Sequence, residues 1–292
     1  MLTNIVLAVL GVITLVFAVF YIKDVISAGK EGNLGEGNFV IAGVSGFVVN
    51  FFDTLGIGAF APLTALLKGF KLTRDKLIPG TLNVSCTIPV VLEAFIFIDG
   101  IKVEPVTLIG MLAAAAIGAV LGAGFVSKLD EKKIQLFMAV ALLAVALIML
   151  ASQLGLMPIG GEEIGLSGVK LVIAIVANFI LGALMTVGIG LYAPCMALVY
   201  ALGMSPAVAF PIMMGSCAFL MPSASLKFVK EGAYDKKASI AITIFGSCGV
   251  FIAAYLVKSL PLDILKWLVV VVILYTSITM FRSYSKRAKA AK

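Results

Sequence analysis

The sequence has no histidine. This removes the side chain most often used as a general base, as a metal ligand and as a switch near neutral pH. Charge is scarce as well: 13% of the 292 residues are Asp, Glu, Lys or Arg, about half the share in a soluble domain. Tryptophan occurs once and cysteine four times, at Cys86, Cys195, Cys217 and Cys248, all within apolar stretches. Thiols placed there have no loop partners, so no disulfide framework is expected. There is no P-loop, no Cys-x-x-Cys pair, no His-based metal site and no pair of carboxylates at catalytic spacing. No cofactor or metal is expected, and ATP-driven work would need another subunit.

What abounds is apolar. The hydrophobic share is 62% and the mean hydropathy is +1.16. The net charge of +7 comes from Lys and Arg in short loops between apolar runs rather than on one patch, which excludes a nucleic-acid binder. An all-α polytopic protein embedded in a lipid bilayer is expected. Spanning takes about 20 mostly apolar residues. Seven runs meet that test: 4–22, 77–98, 105–127, 134–154, 206–229, 238–257 and 262–281. The first has no positive segment before it and is too long for a signal-peptide core, so a retained helix is expected.

Two further segments, 39–70 and 169–202, have glycine-rich middles. The stretch TLGIGAFAPLTAL from Thr54 overlays TVGIGLYAPCMAL from Thr186 at an offset of 132, with eight of thirteen positions identical. Pro79 and Pro211 keep that offset, as do the loops Asp99-Gly100 and Glu231-Gly232, while Ser85-Cys86 and Ser216-Cys217 match at 131. The chain therefore reads as a duplication. It divides into an extra helix and loop (1–38), repeat one (39–155), a linker (156–168), repeat two (169–281) and a basic tail (282–292).

Loop charge decides whether the glycine-rich segments cross the membrane or turn back, because cytoplasmic loops carry the excess of Lys and Arg. If both cross, the 22 basic residues split 9 to 13. If both turn back, one side receives Lys102, Lys170, Lys258 and Lys266, and the other receives the remaining 18. The second pattern is the biased one. It gives seven full spans plus two re-entrant broken-helix hairpins, with the N-terminus outside and the C-terminus cytoplasmic. Each repeat then makes three crossings, so the repeats are inverted and their hairpin tips approach each other, a plan common to transporters.

The tips carry the expected chemistry. Gly56, Gly58, Gly188 and Gly190 let the backbone leave helical geometry. Pro62 and Pro194 suit the first turn of a new helix, where their missing N–H has no partner to lose. Each new helix begins at bilayer depth with unpaired N–H donors and partial positive charge. A small anion answers both needs. Thr54 and Thr186 add hydroxyls, and Phe60 and Tyr192 are the aromatic positions beside them. The helices after the hairpins carry Asn83, Ser85 and Cys86 before Pro89, and Ser216 and Cys217 before Pro222. These either line a polar route opposite the tips or bond back to their own helices. Asp53 and Glu93 are the acids within the apolar segments, and each is a candidate proton carrier by the cost of placing it there. The alternatives are that Asp53 caps backbone at the tip and that Glu93 reaches the interface near Asp99.

A chain of this length, with two Gly-x-Gly…Pro broken segments each followed by a proline-bearing helix, resembles the TauE/SafE sulfite exporter family, also called the toluene sulfonate uptake permeases. The resemblance runs from about Phe39 to Phe281. It implies transport of small sulfur oxyanions or organosulfonates across the plasma membrane, usually outward and coupled to protons. The residues alone reach only "small anion". An anion channel of similar build, a thiosulfate importer relying on Cys86 and Cys217, and an intramembrane enzyme remain as alternatives, with enzymatic function disfavoured by the missing histidine and acid pair.

Overall fold

The computed structural model describes residues 2–97, 101–157, 160–188, 190–256 and 262–290. Asp99, Gly100, Ile189, Lys258 and the last two residues of the tail lie outside the described residues. Among the described residues the regular structure is helical: α1 (Leu2–Lys30), α2 (Phe39–Thr54), α3 (Phe60–Gly69), a 3-10 turn (Asp75–Leu77), α4 (Ile78–Phe97), α5 (Pro105–Val126), α6 (Glu131–Gln153), α7 (Gly168–Met185), α8 (Tyr192–Ala201), α9 (Pro206–Lys230), α10 (Lys236–Leu256) and α11 (Leu262–Ala290). Helix is the economical answer in lipid, because it satisfies every backbone polar group within one segment. The protein is an all-α polytopic membrane protein.

Among the described residues, seven segments are long and apolar enough to cross a membrane: Asn4–Lys30, Asp75–Ile96, Pro105–Val126, Glu131–Gln153, Gly168–Met185, Pro206–Lys230 and Lys236–Tyr255. This set differs from the expected one at two places. Gly168–Met185, expected as a hairpin arm, is long enough by itself at 18 residues, while 262–281 falls within α11, which continues as helix to Ala290 through most of the basic tail. The glycine-rich segments have unequal arms. α2 and α7 have 16 and 18 residues, whereas α3 and α8 have 10 each, so the short arms are about 15 Å long, half the hydrocarbon thickness.

The starts of α2, α5 and α6 are capped by side chains, whereas Ser167 and Ser205 before α7 and α9 make no such bond. Asn38 Oδ1 accepts from the Val40 and Ile41 N–H groups at 3.0 and 3.1 Å. Glu104 accepts from Val106 and Thr107, and Asp130 from Lys133. Glu104 and Asp130 are held below the usual carboxylate range, first of all by those backbone N–H groups.

α4 and α9 pack on each other and are the most buried of the long helices. Around them α10 lies on α4, α5 on α9, and α6 on α11. α2 runs along α10, and α7 runs along α5. Both pairs close through glycine, as small residues allow in lipid. A Cβ at Gly46 would come within 2.6 Å of Ile242 Cα, and one at Gly182 within 2.2 Å of the Ala115 carbonyl.

Loop contacts define the two ends of the bundle. Residues 33–37, 71–74, 77, 232 and 234–236 line one polar cavity of about 720 Å3, so α2 starts and α3 finishes at the same end. At that end Lys68 pairs with Asp75 at 2.6 Å, and Gln135 of α6 donates to the same carboxylate at 2.8 Å. We call this the basic face. At the other end the Glu104 N–H donates to the Ile164 carbonyl. There too Lys170 Nζ, near the start of α7, reaches the Leu202 carbonyl after α8 at 3.1 Å.

Candidate functional site

Both glycine-rich segments break where the sequence places their glycines. α2 stops at Thr54 and α3 starts at Phe60; α7 stops at Met185 and α8 starts at Tyr192. Gly56, Gly58 and Gly188 have φ of +89, +91 and +105°, a region where a Cβ is strained. Pro62 and Pro194 fall in the third position of α3 and α8. The residues preceding these helices, Ala59 and Leu191, cannot cap with a side chain. The first helical bonds run from Leu63 N–H to Ala59 and from Cys195 N–H to Leu191, so the earlier N–H groups of each helix are left for another acceptor.

Glu93 joins the two breaks. It lies on α4 and is fully buried. Its Oε1 is 2.9 Å from Thr54 Oγ1 at the end of α2, and its Oε2 accepts from the Tyr192 hydroxyl at the start of α8, also at 2.9 Å. Asp53, 2% exposed, has the Ala59 N–H as its backbone neighbour and lies close enough to Glu93 for their charges to interact. The Cys86 thiol, on α4 as well, and the Cys217 thiol, on α9, also lie close to this acid pair. Cys217 Sγ contacts Met185 Sδ at 3.7 Å.

Three cavities run in sequence from the surface to this point. The outermost, about 230 Å3, is lined by Gly56, Met149, Gln153, Met157, Met196 and Tyr200 among others. It lies at the C-terminal ends of α6 and α8, away from the basic face. It shares Ile57, Met149 and Ala193 with a second cavity of about 20 Å3 between the first turns of α3 and α8. That one shares Gly58, Phe60, Gly190 and Tyr192 with a third, also about 20 Å3, bounded by Asp53, Ala59, Met185 and Cys217. Each small cavity has room for roughly one water, so a bound oxyanion requires the first turns of α3 and α8 to part.

The structure thus gathers Asp53, Thr54, Gly58, Phe60, Glu93, Gly190, Tyr192 and Cys217, with Cys86 beside them. Others point elsewhere. Asn83 Nδ2 donates to the Pro79 carbonyl at 2.9 Å, Ser85 Oγ to the Leu82 carbonyl at 3.5 Å and Thr186 Oγ1 to the Ala183 carbonyl at 2.6 Å. Ser216 Oγ receives Asn178 Nδ2 at 2.9 Å. Gly188 packs near Met138 and Leu82. Pro89 and Pro222 lie inside α4 and α9. Proline withholds an N–H from the carbonyl four residues earlier; for Pro89 that is Ser85, and Thr243 Oγ1 of α10 fills the vacancy at 2.9 Å.

Sequence reasoning passed over two asparagines. Asn50 and Asn178 are fully buried. The Nδ2 of Asn50 bonds to the Gly46 carbonyl, and both Oδ1 atoms have no protein partner among the described residues. A polar amide inside an apolar run was the available signal. The Lys68–Asp75–Gln135 contact left no such mark, since its members are ordinary loop and helix-end residues.

Helices broken inside an apolar bundle, with uncapped starts converging on buried cavities beside acids, define a membrane transporter. Residues 1–149 and 170–292 match the profile of the sulfite exporter TauE/SafE family, and the chain belongs to that family. The matched region takes in α1. No curated protein matches the chain.

Proposed function

We propose that this protein is a secondary transporter that carries a small sulfur oxyanion or organosulfonate, such as sulfite, across the plasma membrane in a proton-coupled cycle. The observation that carries this reading is the meeting of two uncapped helix starts, at Phe60 and Tyr192, on one buried chain of cavities. Each start presents free N–H donors and a partial positive charge of about half a unit, and the described residues bring no Lys or Arg there to compete for the anion. Sulfur enters through the family name; the geometry supports a small anion.

The alternating-access reading rests on inverted repeats. It is supported by the shared offset of the two breaks and by the matched pairings of α2 with α10 and α7 with α5. It is further supported by the way each broken segment starts and finishes at one end of the bundle. An N-terminus outside and a cytoplasmic tail follow from placing the basic face toward the cytoplasm.

The test is sulfite flux in liposomes containing the purified protein. Wild type should move sulfite against a gradient when a proton gradient is imposed. Gly58→Leu and Gly190→Leu should abolish flux while the protein still inserts and elutes as wild type does. Unimpaired flux in both variants would remove the tip site, and purely downhill flux would make the protein a channel. Because Cys217 borders the innermost cavity, Cys217→Ser separates a thiol-dependent thiosulfate importer, which would lose flux, from the N–H cradle, which would keep most of it.

A further inference from the structure

The hydroxyl of Thr54 has two neighbours and one proton. Its Oγ1 lies 2.8 Å from the Asn50 carbonyl and 2.9 Å from Glu93 Oε1. A carbonyl only accepts, so when the Thr54 proton goes to Asn50, the contact with Glu93 requires a proton on Glu93. Glu93 then donates to Thr54 and keeps its other oxygen for the Tyr192 hydroxyl. Among the described residues around it, no cation offsets a Glu93 charge. α2 presents Asp53, α4 itself Cys86, α8 Tyr192 and α9 Cys217. Of the other helices on α4, α3 has Lys68 engaged with Asp75 and α10 has Lys236 engaged with Asp24 of α1. Tyr21 of α1 is stacked on Phe17, and Cys248 of α10 is exposed.

An ionised Glu93 would repel an anion from the adjoining cavity and would hold the Tyr192 O–H firmly to itself. A neutral Glu93 removes the repulsion and leaves Tyr192, which lines both small cavities, held only by a carboxyl carbonyl and able to turn its O–H to the anion. Proton and anion therefore favour each other's binding, and the coupling is reciprocal. Resting on the anion-transport reading above, we propose that Glu93 takes up its proton together with the anion so that both cross in the same direction. Thr54 and Tyr192 serve as positioning residues that link the Glu93 proton to the anion.

The experiment is proton movement driven by sulfite in liposomes containing the full chain and an internal pH dye, with the sulfur dioxide leak of protein-free liposomes subtracted. In wild type a sulfite gradient should drag protons along its own direction. Glu93→Gln, which keeps shape and hydrogen-bonding capacity, should carry about one proton fewer per anion. In detergent, wild-type sulfite binding should weaken with rising pH by about tenfold per unit more than that of Glu93→Gln. Tyr192→Phe should weaken binding at low pH and leave the high-pH value near wild type, a profile that a purely structural role would not give.

Wild type that moves sulfite without protons, or against them, overturns the Glu93 assignment and leaves the anion reading standing. So does Glu93→Gln binding with an unchanged pH slope. Wild type that moves no sulfite overturns both. The wild-type measurement needs no variant to fold.

Discussion

The two breaks share a backbone plan and differ in chemistry. At the first, Asp53 stands before Thr54, and Thr54 faces Glu93 across to α4. At the second, Met185 replaces the acid, and Thr186 turns back to its own Ala183 carbonyl. The aromatic at the start of the short arm reverses the pattern: Phe60 has no hydroxyl, whereas Tyr192 binds Glu93. One half thus contributes the acids, and the other contributes the phenol and the helix start without a carboxylate beside it. The Ala59 N–H just before α3 already has Asp53 as a neighbour, and the residue in the Asp53 position before the second break is Met185. Duplicated scaffolds can hold an asymmetric site when side chains diverge on a retained backbone.

Removing the group that both breaks share should have the largest effect. Glu93→Ala strands the buried Tyr192 hydroxyl, at a cost of about 1–3 kcal/mol, and leaves Thr54 only the Asn50 carbonyl. It should lower the melting temperature clearly and leave no measurable flux. Ser225→Ala, at the corresponding place in the other half, loses only the 3.0 Å contact with Thr87, about 1 kcal/mol, and should keep flux.

Exchanging the acid tests whether the asymmetry matters. The double variant Asp53→Met, Met185→Asp places a carboxylate beside Cys217 instead of Ala59 and should lose flux by about tenfold or more, about 1.4 kcal/mol in barrier. Wild-type flux in that double variant would make the two breaks interchangeable. The paired threonines give a smaller contrast: Thr54→Val should cost several-fold in flux, and Thr186→Val less than about twofold.

The weakest effect lies outside both breaks and serves as a control. Glu104 holds the first turn of α5, and its carboxyl titrates below the usual range. Its stabilising contribution is present above the unfolded value of about 4.3. It fades as pH falls through the lower folded value. Melting curves of wild type and Glu104→Ala should therefore differ slightly near neutrality and converge in acid, with flux unchanged.

The breaks were legible because Gly and Pro act locally. The positions of Phe60 and Tyr192 as helix starts follow from glycine freedom and proline's tolerance of a first turn, without tertiary information. Glu93 was legible as an expensive acid at depth, but its partners were not, because Thr54 and Tyr192 meet it only when α4 lies between the two broken segments. Asn83, Ser85 and Thr186 show the opposite limit. Their residue types suit a polar lining, yet a single rotation sends each to a carbonyl of its own turn. Lys68 and Asp75 lie close in sequence but are joined to Gln135 only by the approach of α6.

The glycine seams bind the two halves of the chain to each other. α2 is fastened to α10 and α7 to α5, so each half of the chain wears a helix belonging to its counterpart. A cut in the loop around 156–168 would leave two fragments, each with an uncovered flank shaped for the missing strip. Such fragments would be poor soloists, and production of the two together in one cell is the arrangement under which they should reassemble.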